Sequence, residues 1–409
     1  MSDCIVLGAG MVGVSTALAL RARGRSVVLV DKQAPGQATS YGNAGIIQTE
    51  AIAPYALPRN LWEIVAAAMG AGNQVTYRLK DVPSWGLPLF KYWMNSAPST
   101  HKAASRQYAK MIREAGRDHE EVFTAAGAEA LIRRNGLREY YRDAASLAKG
   151  VANAEAVTRE FGVPFKAETG AELAAAEPAL RLSLAGAVHW TDPFSSSSPG
   201  GLVAAYAALF ERLGGKLIIG DAESLTQKGS GWQVGTAEGP QEAAEVVVAL
   251  GPWAPSFLRR FGYRIPQVIK RGYHQHFDGA GPQTPFIDVA NSTVMSSMQA
   301  GVRVLTGAEL AAIDTPPRYR QLGRSIEAAR SLYDIGSPVE TTPWHGSRPC
   351  MPRMLPVVGR APRHQGMWFN FGHGHQGFTL GPTTGRLLAE VMSGEIRDKE
   401  LMGALALSA

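Results

Sequence analysis

The stretch CIVLGAGMVGVSTALALRARGRSVVLVD, residues 4–31, decides the fold of this chain. A short apolar run, Cys4–Leu7, leads into the glycine pattern Gly8-x-Gly10-x-x-Gly13. Small and apolar residues at helical spacing follow, and then a second apolar run that ends at Asp31. This order predicts a strand, a tight turn, a helix and a second buried strand, the unit that binds dinucleotides at the edge of a doubly wound parallel sheet.

Each glycine of the pattern has a physical role in such a unit. Gly8 allows the tight turn, Gly10 lets the backbone approach a pyrophosphate, and Gly13 lets the helix pack closely on the strand. Free N–H groups at the helix N-terminus attract phosphates. Asp31 can accept hydrogen bonds from a ribose hydroxyl, which disfavours a 2′-phosphate. A glycine-rich structural turn is the alternative, but the two flanking strands and the acid favour dinucleotide binding.

Length and composition are those of a globular enzyme with two domains. The chain has 409 residues, 45% hydrophobic and 19% charged, with two cysteines and a net charge of +6. No apolar run reaches the roughly 18 residues of a spanning helix, and the early break at Gly8 argues against a secretory signal. Few cysteines favour a reducing compartment, so we expect a cytoplasmic protein or one at the inner face of the cytoplasmic membrane. No basic run with interleaved aromatics indicates nucleic acid.

The order of predicted elements divides the chain into an α/β cofactor domain and a second domain. Glu245–Leu250 followed by Gly251-Pro252-Trp253 repeats the strand–turn–helix order of the N-terminus. Val268–Phe277 and a hairpin over residues 294–305 predict a separate sheet. We therefore assign residues 1–50, 190–265 and 340–409 to a doubly wound, Rossmann-like cofactor domain. Residues 51–189 and 266–339 are assigned to a discontinuous α+β substrate domain.

Two apolar clusters and one basic helix lie in the first part of the substrate domain. The first cluster consists of Leu61, Trp62, Ile64, Val65, Ala68 and Met69, and the second of Trp85, Leu87, Leu89, Phe90, Tyr92, Trp93 and Met94. Either cluster could be a peripheral membrane contact that reaches a lipid-soluble acceptor. Packing inside the substrate domain is the favoured interpretation. Ala103–Ala125 is predicted to be an amphipathic helix with a solvated, Lys- and Arg-rich face.

Loops rich in glycine and small residues could lie against a flat ligand. Residues 32–45 form such a loop, for which a plain surface loop is the alternative. Near the C-terminus, Trp344–Pro349, Leu355–Gly359 and Gly372–Pro382 are of the same kind, and Arg386–Met392 is predicted to be the closing helix. The dipole at the N-terminus of a helix after Gly372–Pro382 would stabilise negative charge, which for a flavin is the N1/O2 region of the reduced ring. His373 and His375 lack a supporting carboxylate or Cys cluster, so we predict no metal.

In this order the motifs resemble those of the FAD-dependent amine and amino-acid oxidoreductases of the D-amino-acid oxidase superfamily, and most of all the bacterial D-amino-acid dehydrogenases. The resemblance rests on Gly8-x-Gly10-x-x-Gly13 with Asp31, Ser40-x-x-Asn43-x-Gly45, Val246–Gly251 with Trp253, Trp344-x-Gly346-x-Arg348-Pro349 and Gly372-His373-Gly374. It implies one non-covalent FAD, with a substrate domain over the far face of the flavin. The implied cofactor residues are Gly8, Gly10, Met11, Val12, Gly13, Asp31, Lys32, Ser40, Asn43, Ala44, Gly45, Gly251, Trp253, Gly372, His373, Gly374, Gly377 and Thr379.

The resemblance also implies that Arg348 binds the substrate carboxylate. A planar guanidinium can hold a carboxylate through two parallel hydrogen bonds and so orient the Cα–H over flavin N5. A structural salt bridge is the alternative. Tyr273 and Tyr55 are weaker candidates to line the pocket, and Gly374 with His375 could bring polar groups near the substrate amine.

Two further residues bear on the substrate pocket. Arg353 stands where some branches of the family have an acidic residue, which could favour an extra anionic or polar group on the substrate. Cys350 does not match the flavin-linking cysteine of the sarcosine-oxidase branch, and we interpret it as a buried thiol.

The activity implied by the resemblance is oxidative deamination of a D-amino acid. Hydride transfer from Cα to flavin N5 would give an imine, which hydrolyses to a 2-oxo acid and ammonia, and a D-proline or hydroxyproline type of substrate would give a cyclic imine. A quinone is the favoured acceptor, with an electron-transfer protein or oxygen as alternatives. Competing functions are oxidation of sarcosine or another secondary amino acid, a flavin subunit of a heteromeric complex, and an NAD-dependent dehydrogenase.

Overall fold

A computed structural model of the chain describes residues 2–60 and 73–407. The first apolar cluster of the sequence, Leu61 to Met69, lies outside the described residues. The helices are α1 (Met11–Ala22), α2 (Val82–Asn95), α3 (Pro98–Ala126), α4 (Ala144–Phe161), α5 (Gly170–Ala176), α6 (Pro199–Arg212), α7 (Ala254–Leu258), α8 (Arg320–Leu332), α9 (Gly377–Met392) and α10 (Lys399–Leu405). The strands are β1 (Ser2–Leu7), β2 (Val27–Asp31), β3 (Ile46–Ile47), β4 (Val75–Tyr77), β5 (Ile132–Arg133), β6 (Leu137–Tyr141), β7 (Phe165–Thr169), β8 (Gly186–Trp190), β9 (Phe194–Ser196), β10 (Lys216–Lys228), β11 (Gly231–Thr236), β12 (Gln241–Val248), β13 (Val268–Phe277), β14 (Phe286–Asp288), β15 (Thr293–Met298), β16 (Gly301–Leu305), β17 (Ala308–Leu310), β18 (Trp344–Cys350), β19 (Val357–Arg360) and β20 (Met367–Phe371).

The first sheet is the predicted doubly wound sheet. Parallel pairing runs β10-β2-β1-β12-β20, β19 pairs antiparallel with β20, and β11 pairs antiparallel with the outer parts of β10 and β12. β1 and β2 are almost continuous apolar runs because both faces of the sheet are covered. Helices α1, α6 and α9 pack on one face, and α7 packs on the other together with residues of β10 and β11. The carboxyl ends of β1, β2, β12 and β20 meet at one edge, the place where open α/β sheets bind ligands.

The closing helix, α9, begins at Gly377 and is longer than the predicted Arg386–Met392 segment. Its glycines and Pro382 made this region resemble a loop in the sequence. The glycines have a packing role: a Cβ at Gly381 would lie 2.6 Å from Met11 Cγ, and a Cβ at Gly385 would lie 2.8 Å from the carbonyl carbon of Ser15. Glycine therefore allows α9 and α1 to cross in close contact.

The second sheet is mixed and has the order β4-β17-β13-β16-β15-β14-β6-β8-β7, with β18 added against β13. The predicted strand over residues 268–277 and the predicted hairpin are both present. β18 lies in the segment that the sequence placed with the cofactor domain, but it pairs with the second sheet. α3, from the predicted substrate domain, packs on α9 and α6 of the first sheet. The division into domains is therefore more interleaved than the sequence suggested.

The second apolar cluster, on α2, only partly follows the favoured interpretation of packing. Tyr92 is buried, and Trp85 and Leu89 pack on the core. Leu87, Phe90 and Met94 are instead 64%, 55% and 54% exposed. In the part of the chain that the structure describes, no helix is both long and apolar enough to cross a membrane.

Candidate active site

A cavity of about 780 Å³ lies at the carboxyl edge of the first sheet and extends to the second sheet. Asp31 and Lys32 line one end, and Lys270 and Arg348 line it where β13 and β18 run side by side. Its volume is within the range of cofactor and ligand pockets. The doubly wound sheet thus supplies one wall and the second sheet supplies the other.

The glycine turn has the geometry that a pyrophosphate requires. Gly8 has φ +106°, and a Cβ there would lie 2.6 Å from the carbonyl oxygen of Ala249. A Cβ at Gly13 would lie 1.7 Å from the carbonyl oxygen of Gly8, so helix and turn could not pack as they do. Gly10 lines the cavity, and α1 has no side-chain cap, which leaves N–H groups of Val12 and Gly13 available to phosphate oxygens.

Asp31 lies at the end of β2 and also shapes the turn. Its Oδ2 accepts a hydrogen bond from the backbone N–H of Ala9 at 2.6 Å, and its Oδ1 accepts one from Gln33 at 3.0 Å. A carboxylate has further lone pairs, so these bonds leave it able to accept a ribose hydroxyl. Beside it, the ammonium of Lys32 lies 5.8 Å from the ring centroid of Trp253, which follows Gly251 at the cavity wall.

The loop over residues 32–45 lines the cavity, and two of the predicted residues in it make side-chain hydrogen bonds. Ser40 Oγ accepts a hydrogen bond from the N–H of Met11 at 3.0 Å, which joins the loop to the start of α1. Asn43 Oδ1 accepts one from Gly45 N–H at 2.8 Å. Ala44 lies between them and lines the cavity. The loop is thus a wall of the cavity with its backbone held in place.

The N-terminus of α9 faces the same cavity. Gly372, Gly374 and Gly377 line it, and α9 has no side-chain cap. Thr379 Oγ1 accepts a hydrogen bond from Gln48 N–H at 3.1 Å, so this hydroxyl fixes the backbone near the end of the first cofactor-domain segment, residues 1–50. His373 is buried, and its Nε2 is hydrogen-bonded to Thr384 Oγ1 at 3.0 Å. Burial lowers the pKa of His373 to about 3, so the ring is neutral.

Arg348 extends from β18 over a glycine of β13. A Cβ at Gly272 would lie 2.7 Å from Arg348 Nη2, so the missing side chain makes room for the guanidinium. Nη1 donates to the carbonyl oxygen of Gly307 at 3.1 Å, and no carboxylate among the described residues forms an ion pair with it. Burial lowers the pKa of Arg348, but an arginine remains charged at neutral pH. The structural salt bridge considered as an alternative for Arg348 is absent from the described part of the chain.

Tyr273 and His375 both line the cavity but differ in their polar contacts. The Tyr273 hydroxyl donates to Glu309 and accepts from the N–H of Arg318 at 3.2 Å. This geometry favours a structural role for that hydroxyl. The ring of His375 lies 4.6 Å from the ring of Tyr55, and burial lowers the pKa of His375 to about 3. His375 is therefore a neutral group at the substrate end.

Arg353 and Cys350, the other two residues selected from the sequence, make contacts of a structural kind. Arg353 Nη2 donates to the carbonyl oxygen of Ala406 at 2.9 Å, so it holds the C-terminal segment. Arg353 is not among the residues that line the cavity, so its effect on substrate range stays a prediction. Cys350 is a buried free thiol, as expected, next to Arg348 on β18.

Several residues at the site carried no motif that sequence reasoning could detect. Lys270 lies opposite Arg348 on the neighbouring strand. Arg303 Nη1 donates to the carbonyl oxygens of Tyr41 at 2.8 Å and Asn43 at 2.5 Å. Both cations come from the second sheet, far from the loop in sequence. The alternating pattern of the strands indicates only on which face of the sheet each side chain lies.

Behind Arg303 lies a group with the composition of a metal site, His274, His276 and Glu340. His276 Nδ1 is hydrogen-bonded to Glu340 at 3.0 Å, and its Nε2 accepts from Arg303 Nε at 2.9 Å. A metal ion there would meet a neighbouring guanidinium of like charge. His276, held by Glu340, instead orients Arg303.

The residues present fit FAD. The uncapped ends of α1 and α9 supply N–H groups where a pyrophosphate and an anionic flavin require them. The family model for FAD-dependent oxidoreductases matches residues 3–391. The chain belongs to this family. FAD is therefore the cofactor, the chain is an oxidoreductase, and the resemblance and the FAD-binding fold predicted from the motifs are confirmed.

This FAD-dependent oxidoreductase is similar in sequence to known enzymes over nearly its whole length. The D-amino-acid oxidase of Bradyrhizobium diazoefficiens is 28% identical, with 95% of this chain and 94% of the relative covered. The D-amino acid dehydrogenase of Chromohalobacter salexigens is 26% identical, with 95% of each chain covered.

Solved structures share the fold. Glycine oxidase from Geobacillus kaustophilus superposes with a TM-score of 0.75 at 20% identity, covering 100% of this chain and 98% of that one. Iminodiacetate oxidase from Chelativorans sp. BNC1 has a TM-score of 0.72 at 23% identity, covering 98% of each chain. The predicted two-sheet architecture thus has close structural counterparts.

Proposed function

We propose that this protein oxidises D-amino acids to imines, which hydrolyse to 2-oxo acids and ammonia, and passes the electrons to a quinone-type acceptor. The observation that carries the proposal is Arg348, a guanidinium that lines the cavity with a single backbone acceptor and without a carboxylate partner among the described residues. The names of the two relatives support an amino-acid substrate of D configuration.

In this proposal the chain binds and orients the substrate. Arg348 holds the α-carboxylate through parallel N–H groups, which fixes the position of the Cα–H. The buried, neutral ring of His375 places no positive charge beside the amine, which reacts in its uncharged form, and Tyr55 packs on that ring. FAD, when bound, supplies a two-electron acceptor that takes the Cα hydrogen with its bonding electron pair.

The oxidation removes a hydride from Cα and a proton from the nitrogen of the substrate. The nitrogen lone pair forms the C=N bond as the Cα–H bond breaks, so the substrate loses a hydride and becomes an iminium ion, which releases an N–H proton to water and gives the imine. Water then adds to the imine carbon and ammonia leaves. A quinone-type acceptor would take up the two electrons together with two protons and leave as the quinol. The N-terminal dipole of α9 would stabilise the negative charge of the reduced cofactor.

We also propose that the cofactor residues predicted from the sequence bind FAD and that the two domains interleave as described above. The exposed side chains of α2 are proposed to contact a membrane that carries the acceptor. Leu87, Phe90 and Met94 give this helix an apolar surface suited to a bilayer interface. Reoxidation of the reduced enzyme by a short-chain quinone, compared with reoxidation by oxygen, tests the acceptor. Faster reoxidation by oxygen would contradict a dehydrogenase.

The experiment that tests the function is anaerobic bleaching of the flavin absorbance by a panel of amino acids. D-Alanine and D-proline are expected to bleach it, whereas L-alanine is not. Bleaching by sarcosine alone would favour the secondary-amine alternative. Bleaching by L-amino acids alone would overturn the assigned configuration, and no bleaching by any of them would favour a flavin subunit without its own substrate.

Substitution of Arg348 is the sharpest test of the site. Arg348→Met removes the charged donors, and because each hydrogen bond to a charged group contributes about 1.5–3 kcal/mol, kcat/KM for D-alanine is expected to fall about 100-fold or more. The flavin content should stay the same. Arg360→Met, at an exposed arginine stacked on Trp368, is the matched control and is expected to change kcat/KM less than about threefold. Equal kcat/KM in the wild type and Arg348→Met would refute the assignment.

A further inference from the structure

Two cations lie side by side at the substrate end of the cavity. β13 and β18 pair antiparallel, and Lys270 is directly opposite Arg348 in that register. Side chains of directly opposed residues lie on the same face of a sheet, about 5 Å apart at their Cβ atoms. Both residues line the cavity. Like charges on directly opposed residues destabilise a sheet, so this pair is expected to serve a function in the pocket.

Neither cation has a carboxylate partner among residues 2–60 and 73–407. Arg348 donates to Gly307, and the Lys270 ammonium lies 4.6 Å from the centroid of the Tyr92 ring. An aromatic face orients an ammonium without neutralising it. Burial is the main cause of the low pKa of His375, and the positive charges of Arg348 and Lys270 lower this pKa further.

The acidic groups around the cavity do not balance these charges. Glu139 lines the cavity and accepts from the Tyr141 hydroxyl at 2.6 Å and from Trp190 Nε1 at 3.2 Å, but its single negative charge stands against two positive ones. The other lining carboxylates, Asp31, Asp221 and Glu223, lie at the opposite end with Lys32. Burial raises the pKa of Glu50 to about 7, so that carboxyl is protonated for a large part at neutral pH. The substrate end of the cavity therefore carries an excess of positive charge, which an anionic ligand would neutralise.

One α-carboxylate can use the guanidinium fork of Arg348, which leaves the three donors of the Lys270 ammonium available. We propose that Lys270 binds a second carboxylate of the substrate, so that the preferred substrates are amino acids with two carboxylates. This inference rests on the proposed function. The second carboxylate could be on the side chain, as in D-aspartate, or on the nitrogen substituent, as in iminodiacetate. In both compounds the two carboxylates are only a few bonds apart.

A competing arrangement has both cations on one carboxylate. In that case Lys270 contributes to every substrate alike, whereas a site for a second carboxylate contributes only to substrates that have one. The two arrangements therefore differ in the selectivity of a Lys270 variant and not in its overall activity.

The kinetic test compares the holoenzyme with Lys270→Met, using D-aspartate, D-glutamate and iminodiacetate against D-alanine and sarcosine. The wild type is expected to favour dicarboxylic substrates at least tenfold in kcat/KM. Lys270→Met should lose about 10- to 100-fold with them, the range for one hydrogen bond to a charged group, and less than threefold with D-alanine. Lys91→Met, at an exposed lysine of α2, is the matched control and should behave as the wild type. An equal loss with D-alanine would overturn the proposal.

An equilibrium measurement separates this inference from the proposed function. Succinate and propionate differ by one carboxylate, and their binding is measured from the change that they cause in the flavin spectrum without turnover. Succinate is expected to bind at least tenfold more tightly to the wild type, and this preference should disappear in Lys270→Met. Equal affinities in the wild type would refute the second carboxylate site, even if D-amino acids bleach the flavin. If succinate is preferred but no amino acid bleaches it, the proposed reaction fails and the anion site stands.

Discussion

A single carboxyl group, that of Glu50, has an environment that no sequence pattern reveals. Its Oε1 accepts a hydrogen bond from Gln48 Nε2 at 2.8 Å, whereas Oε2 is buried and has no hydrogen-bond partner among the described residues. Burial raises its pKa from 4.5 to about 7. Gln48 in turn accepts from Gln376, the residue before α9. Glu50 therefore gains or loses its charge near neutral pH, and it is linked through Gln48 and Gln376 to the N-terminus of α9 at the cavity.

Glu50→Gln is expected to stabilise the protein at alkaline pH. Below pH 4.5 the carboxyl is neutral in the folded and unfolded states, so it costs nothing. As the pH rises towards 7 the unfolded chain loses the proton first, and the wild type loses about 2–3 kcal/mol of stability. Urea unfolding of the holoenzyme should therefore show Glu50→Gln more stable by that amount at pH 8 and nearly equal to the wild type at pH 4.5. Glu160→Gln, at an exposed carboxyl, serves as the control, and the same difference at both pH values would show that Glu50 does not change its protonation state.

At the scale of elements, the contact between α1 and α9 determines how the cofactor edge is built. Both helices begin at the cavity, and each presents free N–H groups to it. Gly381 and Gly385 bring them into backbone contact, since a side chain at either position would collide with α1. The two N-termini can therefore face the same ligand only while these glycines remain.

Gly385→Ala is expected to lower the free energy of unfolding by about 1–3 kcal/mol, the usual cost of overpacking, because its Cβ would lie 2.8 Å from the backbone of Ser15. Gly323→Ala is the matched control, since a Cβ in that helix meets no atom within 4 Å and alanine has the higher helix propensity. It should leave stability unchanged or raise it slightly. Urea unfolding of both variants makes the comparison. If the two variants were equally stable, the close helix contact would not be required.

At the scale of the whole molecule, Arg303 joins the second sheet to the cofactor loop. Burial lowers its pKa to about 10, so it remains charged at neutral pH. It is held by His276 and Glu340 on one side and donates to the carbonyl oxygens of Tyr41 and Asn43 on the other. The substrate wall and the cofactor wall are thereby connected through one side chain.

Arg303→Met is expected to weaken FAD binding about tenfold or more, because the loop loses two hydrogen bonds from a charged donor. Titration of the apoprotein with FAD, followed by quenching of flavin fluorescence, measures the effect. Arg212→Met removes an exposed arginine that also donates to backbone carbonyls, and it should leave FAD affinity unchanged. Unaltered affinity in Arg303→Met would limit this residue to stabilising the fold.

Sequence alone determined the nucleotide-binding half of the molecule. The glycine pattern and Asp31 belong to one strand–turn–helix–strand unit, and the loop from Ser40 to Gly45 follows that unit directly, so short motifs reveal them even though some of their contacts are distant in the chain. The strand over residues 268–277 was also predictable from its apolar pattern. The start of α9 was not, because glycine and proline disfavour a helix unless a partner packs against them.

Only the tertiary structure decided the substrate end. The positions of Lys270 and Arg303 depend on pairing between strands distant in sequence, and such a register is fixed by packing across the whole sheet. The exposure of α2 and the unusual environment of Glu50 likewise depend on what surrounds them in space. Short sequence motifs predict local backbone structure. The charge of a pocket cannot be predicted in this way, because it arises from residues that only folding brings together.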